Sequence, residues 1–102
     1  MEAQGMNGRE WERESVARYR EAVLSVLADG GWRRGDEIHA AVLPAGHSRH
    51  ESLSVSLCLD ALAIARREID MRKVERDGLL IDFEFRMHRE HVQKTHTLED
   101  FA

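Results

Sequence analysis

Trp11, Val16, Tyr19, Val23, Val26 and Leu27 recur at helical spacing, and charged residues from Glu10 to Glu21 fill most of the places between them. A repeat of about 3.6 residues gathers the apolar set on one stripe, so the pattern predicts an amphipathic helix over 9–28. "DGG" at 29–31 stops it, because glycine accepts the left-handed conformation of a helix C-cap. Trp32 then opens a short extended segment. Gly35-Asp36 begins a second, shorter helix, with Asp36 expected as N-cap, Ile38 and Val42 inward, and Pro44 and Gly46 at its end. Ser48 followed three residues later by Glu51 is a capping box, and an apolar run comes directly after it. A third helix is therefore expected over 49–67, with Val55, Cys58, Leu59, Leu62 and Ala65 facing inward.

After this helix the period changes from helical to alternating. "RKVERDGLLIDFEFR", residues 72–86, holds two runs rich in β-formers around an acidic-glycine turn, which predicts a β-hairpin. A two-residue turn, Asp77-Gly78, would set Arg72 opposite Phe83 and Asp70 opposite Phe85. A three-residue loop, Arg76-Asp77-Gly78, sets Met71 opposite Phe83, Ile69 opposite Phe85, Arg72 opposite Asp82 and Val74 opposite Leu80. The second register is the expected one, although it brings Asp70 against Glu84. Ile69, Met71, Phe83 and Phe85 would then form the core face, with Arg76 at the tip. Residues 1–8 read as a frayed tail and 9–87 as one domain. Residues 88–102 have weak periodicity, which fits a short exposed helix or an extension lying across a partner.

Composition narrows the class. The chain has 102 residues, 42% of them hydrophobic and 33% charged, which suits one small globular domain. One cysteine excludes an internal disulfide and suits a reducing cytoplasm. No apolar stretch is long enough for a membrane span, and "MEAQGMNGREWERES" has no apolar core of a secretory signal. The net charge of −4 argues against non-specific coating of nucleic acid, so any anion-binding surface is local.

The order helix, short strand, helix, helix, hairpin resembles the winged helix-turn-helix superfamily. "VLSVLADGGWRRGDEIHAAV" carries the first part, "SVSLCLDALAIARREI" the third helix and "DMRKVERDGLLIDFEFR" the wing, together covering about 16–87. The resemblance implies an α+β fold, three helices with a C-terminal β-hairpin wing. It also implies a transcriptional regulator that binds double-stranded DNA with helix three in the major groove and the wing against the backbone. Arg49, Ser52 and Ser56 on helix three, Arg67 at its end, and Arg72, Lys73 and Arg76 in the wing are the expected contacts. Leu57 and Asp60 suit DNA poorly, and the acids of the hairpin weaken its cations. Some members of the superfamily use the fold for protein contacts, so a protein-interaction module without DNA binding is the second expectation.

A regulator of this kind is expected as a homodimer, built on helix one through Trp11 and Tyr19 and on the segment after Met87, whereas an interaction module would use the Leu53, Leu57 stripe or its acidic surface. Leu53, Leu57, Ala61 and Ile64 form a second apolar stripe on helix three, covered by the rest of the domain or left as a partner patch. Neither a metal nor another cofactor is expected. His88, His91 and His96 lack a completing cysteine or carboxylate, and no phosphate loop, nucleophile elbow or HExxH element is present. The chain does not read as an enzyme.

Overall fold

Residues 8–88 are described by a computed structural model, in which three helices pack against a three-stranded antiparallel sheet. The expectations for residues 1–7 and 89–102, including a partner-spanning extension, His91 and His96, lie outside the described residues. Helix α1 is Gly8–Val26, and its stripe buries Val16, Tyr19 and Val23, with Leu27 next in the core. Gly30, at φ 80°, takes the left-handed position after it, as the "DGG" signal requires.

Helix α2, Gly35–Val42, buries Ile38. Its N-cap is Arg34, two residues before the expected Asp36: the Arg34 backbone N–H donates to Glu37 Oε1 at 2.8 Å. Asp36 instead donates its own N–H to Asp82 Oδ2 at 3.3 Å. A carboxylate from the hairpin thus sits against the positive end of α2, a favourable arrangement with the helix dipole. Gly35 makes room for it, since a Cβ there would meet Asp82 Oδ1 at 2.9 Å.

Helix α3, Arg49–Asp60, starts on the expected box: Ser48 N–H donates to Glu51 Oε1 at 2.9 Å and Glu51 N–H to Ser48 Oγ at 3.1 Å. Val55, Cys58, Leu59 and Leu62 are buried as the pattern requires. The helix does not run on to 67. A π-helical turn, Ala61–Ala65, closes with Arg66 N–H on Ala61 C=O at 2.9 Å, and Arg67 takes a left-handed φ of 53°. The wider turn rotates the residues after Asp60 about the helix axis, so Ala61 is buried and Ala65, expected inside, is exposed.

The strands are β1, Arg33–Arg34, β2, Ile69–Arg76, and β3, Leu79–Met87, in the order β1-β3-β2. The expected three-residue loop is not formed. Asp77 and Gly78, at φ 54° and 81°, make a two-residue turn with two left-handed positions, the form that matches the twist of paired strands. A bulge then corrects the register: Glu75 faces Leu80 but Val74 faces Asp82, leaving Ile81 over. Beyond it Arg72 faces Glu84 and Asp70 faces Arg86, so each acid meets a base. Ile69 and Phe85 are buried and Phe83 packs against the core, whereas Met71, expected inside, lies on the edge strand and is 37% exposed.

Two substitutions test this packing. Gly35→Ala should displace the Asp82 carboxylate from α2 and cost about 1 kcal/mol, lowering Tm by several degrees. Ser15 is buried in α1 and its Oγ has no hydrogen-bond partner among the described residues. Ser15→Ala should therefore leave stability unchanged or raise it by up to about 1 kcal/mol in chemical denaturation.

Candidate docking surface

The N-terminal turns of α3 are occupied by contacts to the other helices. Trp11 Nε1–H donates to Ser54 Oγ at 2.9 Å, and the Trp11 ring stacks on His50 with centroids 5.0 Å apart. His39 of α2 reaches the same helix: its Nε2 lies 3.1 Å from Ser52 C=O and 3.3 Å from Ser56 Oγ, while Nδ1 lies 2.8 Å from Gly35 C=O. Ser52 and Ser56, expected as DNA contacts, are half-buried, and the Ser56 hydroxyl is engaged by His39. Arg49 is exposed and has no ion pair among the described residues. Of the residues expected at a dimer surface, Trp11 is half-buried and tied to α3, and Tyr19 lies in the core at 8% exposure. The second apolar stripe is divided: Ala61 is buried, Leu57 half-buried, and Leu53 and Ile64 exposed.

One face of the hairpin spends its charges on itself. Arg72 Nε donates to Glu84 Oε1 at 2.7 Å, and Arg86 Nε donates to Asp70 Oδ2 at 3.0 Å. Both guanidinium groups also lie over the Trp32 ring, 4.0 and 4.5 Å from its centroid, within cation–π range. Arg72 is thereby paired with Glu84 rather than with Asp82, whose carboxylate faces the N-terminus of α2. Arg67, Lys73 and Arg76 are exposed and form no ion pair among the described residues. Beside them the hairpin turns three consecutive aliphatic residues outward, Leu79, Leu80 and Ile81, which are 70%, 50% and 47% exposed. The sequence pattern assigns Leu80 to a cross-strand pair and does not single out the group. The signal is nonetheless present, since three successive aliphatics on a strand always put at least one on the face away from the core.

Glu68 holds the hairpin to the helices. Its side chain accepts from Arg20 of α1, at 2.9 Å from Nε, and from Arg66 Nε at 2.6 Å. Its N–H donates to Leu62 C=O at 2.8 Å and its C=O accepts from His88 N–H at 3.0 Å. Burial pushes the Glu68 carboxyl up, but the hydrogen bonds from Arg20 and Arg66 outweigh it and hold the group below the ordinary carboxylate range. Asp70 behaves alike: burial raises it, and His88 and Arg86 bring it below its ordinary value.

Burial pushes the Cys58 thiol up to about 11, which leaves it protonated and a poor nucleophile near neutral pH. Among the described residues no group of three His, Cys, Asp or Glu side chains is placed to hold a metal ion. Nor is any helix among them long and apolar enough to cross a membrane. A cleft of about 510 Å³ beside α1 is bordered by Arg13, Arg20 and Arg66, but two of these serve Glu68.

The Glu68 clamp predicts a pH dependence. A carboxyl depressed in the folded state stabilises fully above its unfolded value, near pH 4, and that stability is lost as pH falls through the lower folded value. Glu68→Gln should cost about 2 kcal/mol at neutral pH and flatten the acid limb of a denaturation-against-pH profile, leaving the part due to Asp70. An acid limb unchanged by the substitution would show that the clamp contributes nothing. Compared with protein-family models, curated proteins and solved structures, the chain matches none.

Proposed function

We propose that the chain is a protein-interaction module of winged-helix-like architecture, in which the hairpin serves as wing and its apolar end as the docking surface. The observation that carries this reading is the outward run Leu79, Leu80 and Ile81. Consecutive exposed aliphatics promote aggregation and are kept where they meet a partner. The exposed side of α3 and the π turn after it agrees, since Leu53, Asp60 and Ile64 offer aliphatic and acidic groups where a DNA reader needs donors and cations. The charge of −4 points the same way. Burial raises the Asp60 carboxyl, with the like charge of Glu12 adding to it.

A second reading, a DNA-binding regulator, is favoured by one specific observation. Arg49, Arg67, Lys73 and Arg76, four of the seven expected DNA contacts, are exposed and free of ion pairs among the described residues. Each cation on a phosphate would add roughly 0.9 to the slope of log affinity against log salt.

Two measurements separate the readings. A photo-reactive residue in place of Leu80 should give protein adducts in the native host, and Leu79→Ser with Ile81→Ser should abolish them while thermal unfolding stays cooperative. Labelled duplex DNA should not be retained at about 50 mM salt. Duplex retention that is lost in Lys73→Glu with Arg76→Glu, with no adducts at Leu80, would replace the first reading by the second.

A further inference from the structure

The hairpin has a second unpartnered feature, the outer edge of β2. The strand order β1-β3-β2 leaves this eight-residue strand bonded on one side only. Its phase is fixed by one hydrogen bond. His88 N–H donates to Glu68 C=O, so Glu68 is a bonded position of the antiparallel ladder. Bonded and non-bonded positions alternate along such a ladder. Asp70, Arg72 and Val74 therefore turn their backbone groups toward β3, and Met71, Lys73 and Glu75 turn theirs outward. Arg72, Lys73, Glu75 and Arg76 are all exposed, so the edge is guarded by charge against indiscriminate pairing, while β2 contains no proline that would remove a backbone donor from it.

We propose that this edge accepts an extended segment of a partner protein as a fourth strand, with an aliphatic residue against Met71 and acidic residues against Lys73 and Arg76. The proposal rests on the protein-interaction reading and names the partner's chemistry. Backbone hydrogen bonds would supply affinity, and alternate side chains would supply selectivity. Met71 and Ile64 border a cleft of about 480 Å³ at the inner end of the strand, which is where the aliphatic residue belongs. The charges select the occupant. Among the described residues Arg67, Lys73 and Arg76 are free of ion pairs along this side, against Glu75 and Asp77. A second copy pairing antiparallel about Val74 would set Arg72 against Arg76 twice and Lys73 against Glu75 twice, with no net gain, whereas an acidic segment meets Lys73 and Arg76 with complementary charge.

The test uses purified protein and two capped octapeptides, TLTEVTET and its reversed sequence, because the two directions of pairing need opposite order. One of them should bind and slow amide exchange at Met71, Lys73 and Glu75. Lys73→Pro removes one outward N–H and leaves the β2–β3 ladder its bonds, so it should weaken binding about tenfold. Lys73→Glu should weaken it as well, and peptides with lysine in place of glutamate should bind less tightly. Failure of both peptides to bind, or binding unchanged by Lys73→Pro and Lys73→Glu, overturns the proposal. Adducts at Leu80 without peptide binding sink the edge site alone, and the absence of both sinks the interaction reading with it.

Discussion

Glu68 is the point at which the two halves of the domain are joined. Its backbone N–H closes the π turn on Leu62, its C=O takes the N–H of His88 just after the last strand, and its carboxylate is shared between Arg20 and Arg66. Helix one, the end of helix three and both long strands therefore meet at one residue. A half-buried carboxylate is costly to desolvate, and here two guanidinium groups offset that cost. Because its backbone donates and accepts in the same place, Glu68 also sets the phase of the β2 ladder. The direction in which each hairpin side chain points depends on it.

The hairpin then divides its residues by chemistry. Arg72 with Glu84 and Arg86 with Asp70 neutralise each other beside Trp32, and Asp82 turns to the N-terminus of α2. Of the cations expected to meet a nucleic acid, Arg72 is consumed in holding the sheet together, while Lys73 and Arg76 stay exposed. Toward solvent there remain an aliphatic end, a cationic outer edge and an open row of backbone groups. In the proposed function this mixture meets a protein segment, and α3, held by Trp11 and His39, serves as its scaffold.

Much of the frame is legible in the chain. The spacing of Val16, Tyr19 and Val23, the box of Ser48 and Glu51, the glycine stop after α1 and the alternation in 69–87 are local signals, and each survives folding because neighbours within four residues produce it. The departures have a common origin in contacts from distant segments. Asp36 has the residue type of an N-cap, but Glu37 satisfies Arg34 and the hairpin supplies Asp82. Ala65 continues the inward stripe of α3, but the π turn rotates it out. A two-residue hairpin turn gives mismatched pairs in a regular ladder, and a bulge at Ile81 removes that mismatch.

The candidate site is less legible than the frame. The sequence by itself determined the number and order of the elements, the core of α3 through Val55, Cys58, Leu59 and Leu62, and the presence of several cations around a short hairpin. These depend on local periodicity and on composition. Only the tertiary structure decided which charges are free and which aliphatics stay outside. Arg72 lost its freedom to Glu84 and Trp32, Ser56 to His39, and Tyr19 to the core, while Leu79, Leu80 and Ile81 remained uncovered. A one-residue change of register reverses the face of every side chain beyond it, and the register here is set by a bulge and by Glu68 acting together.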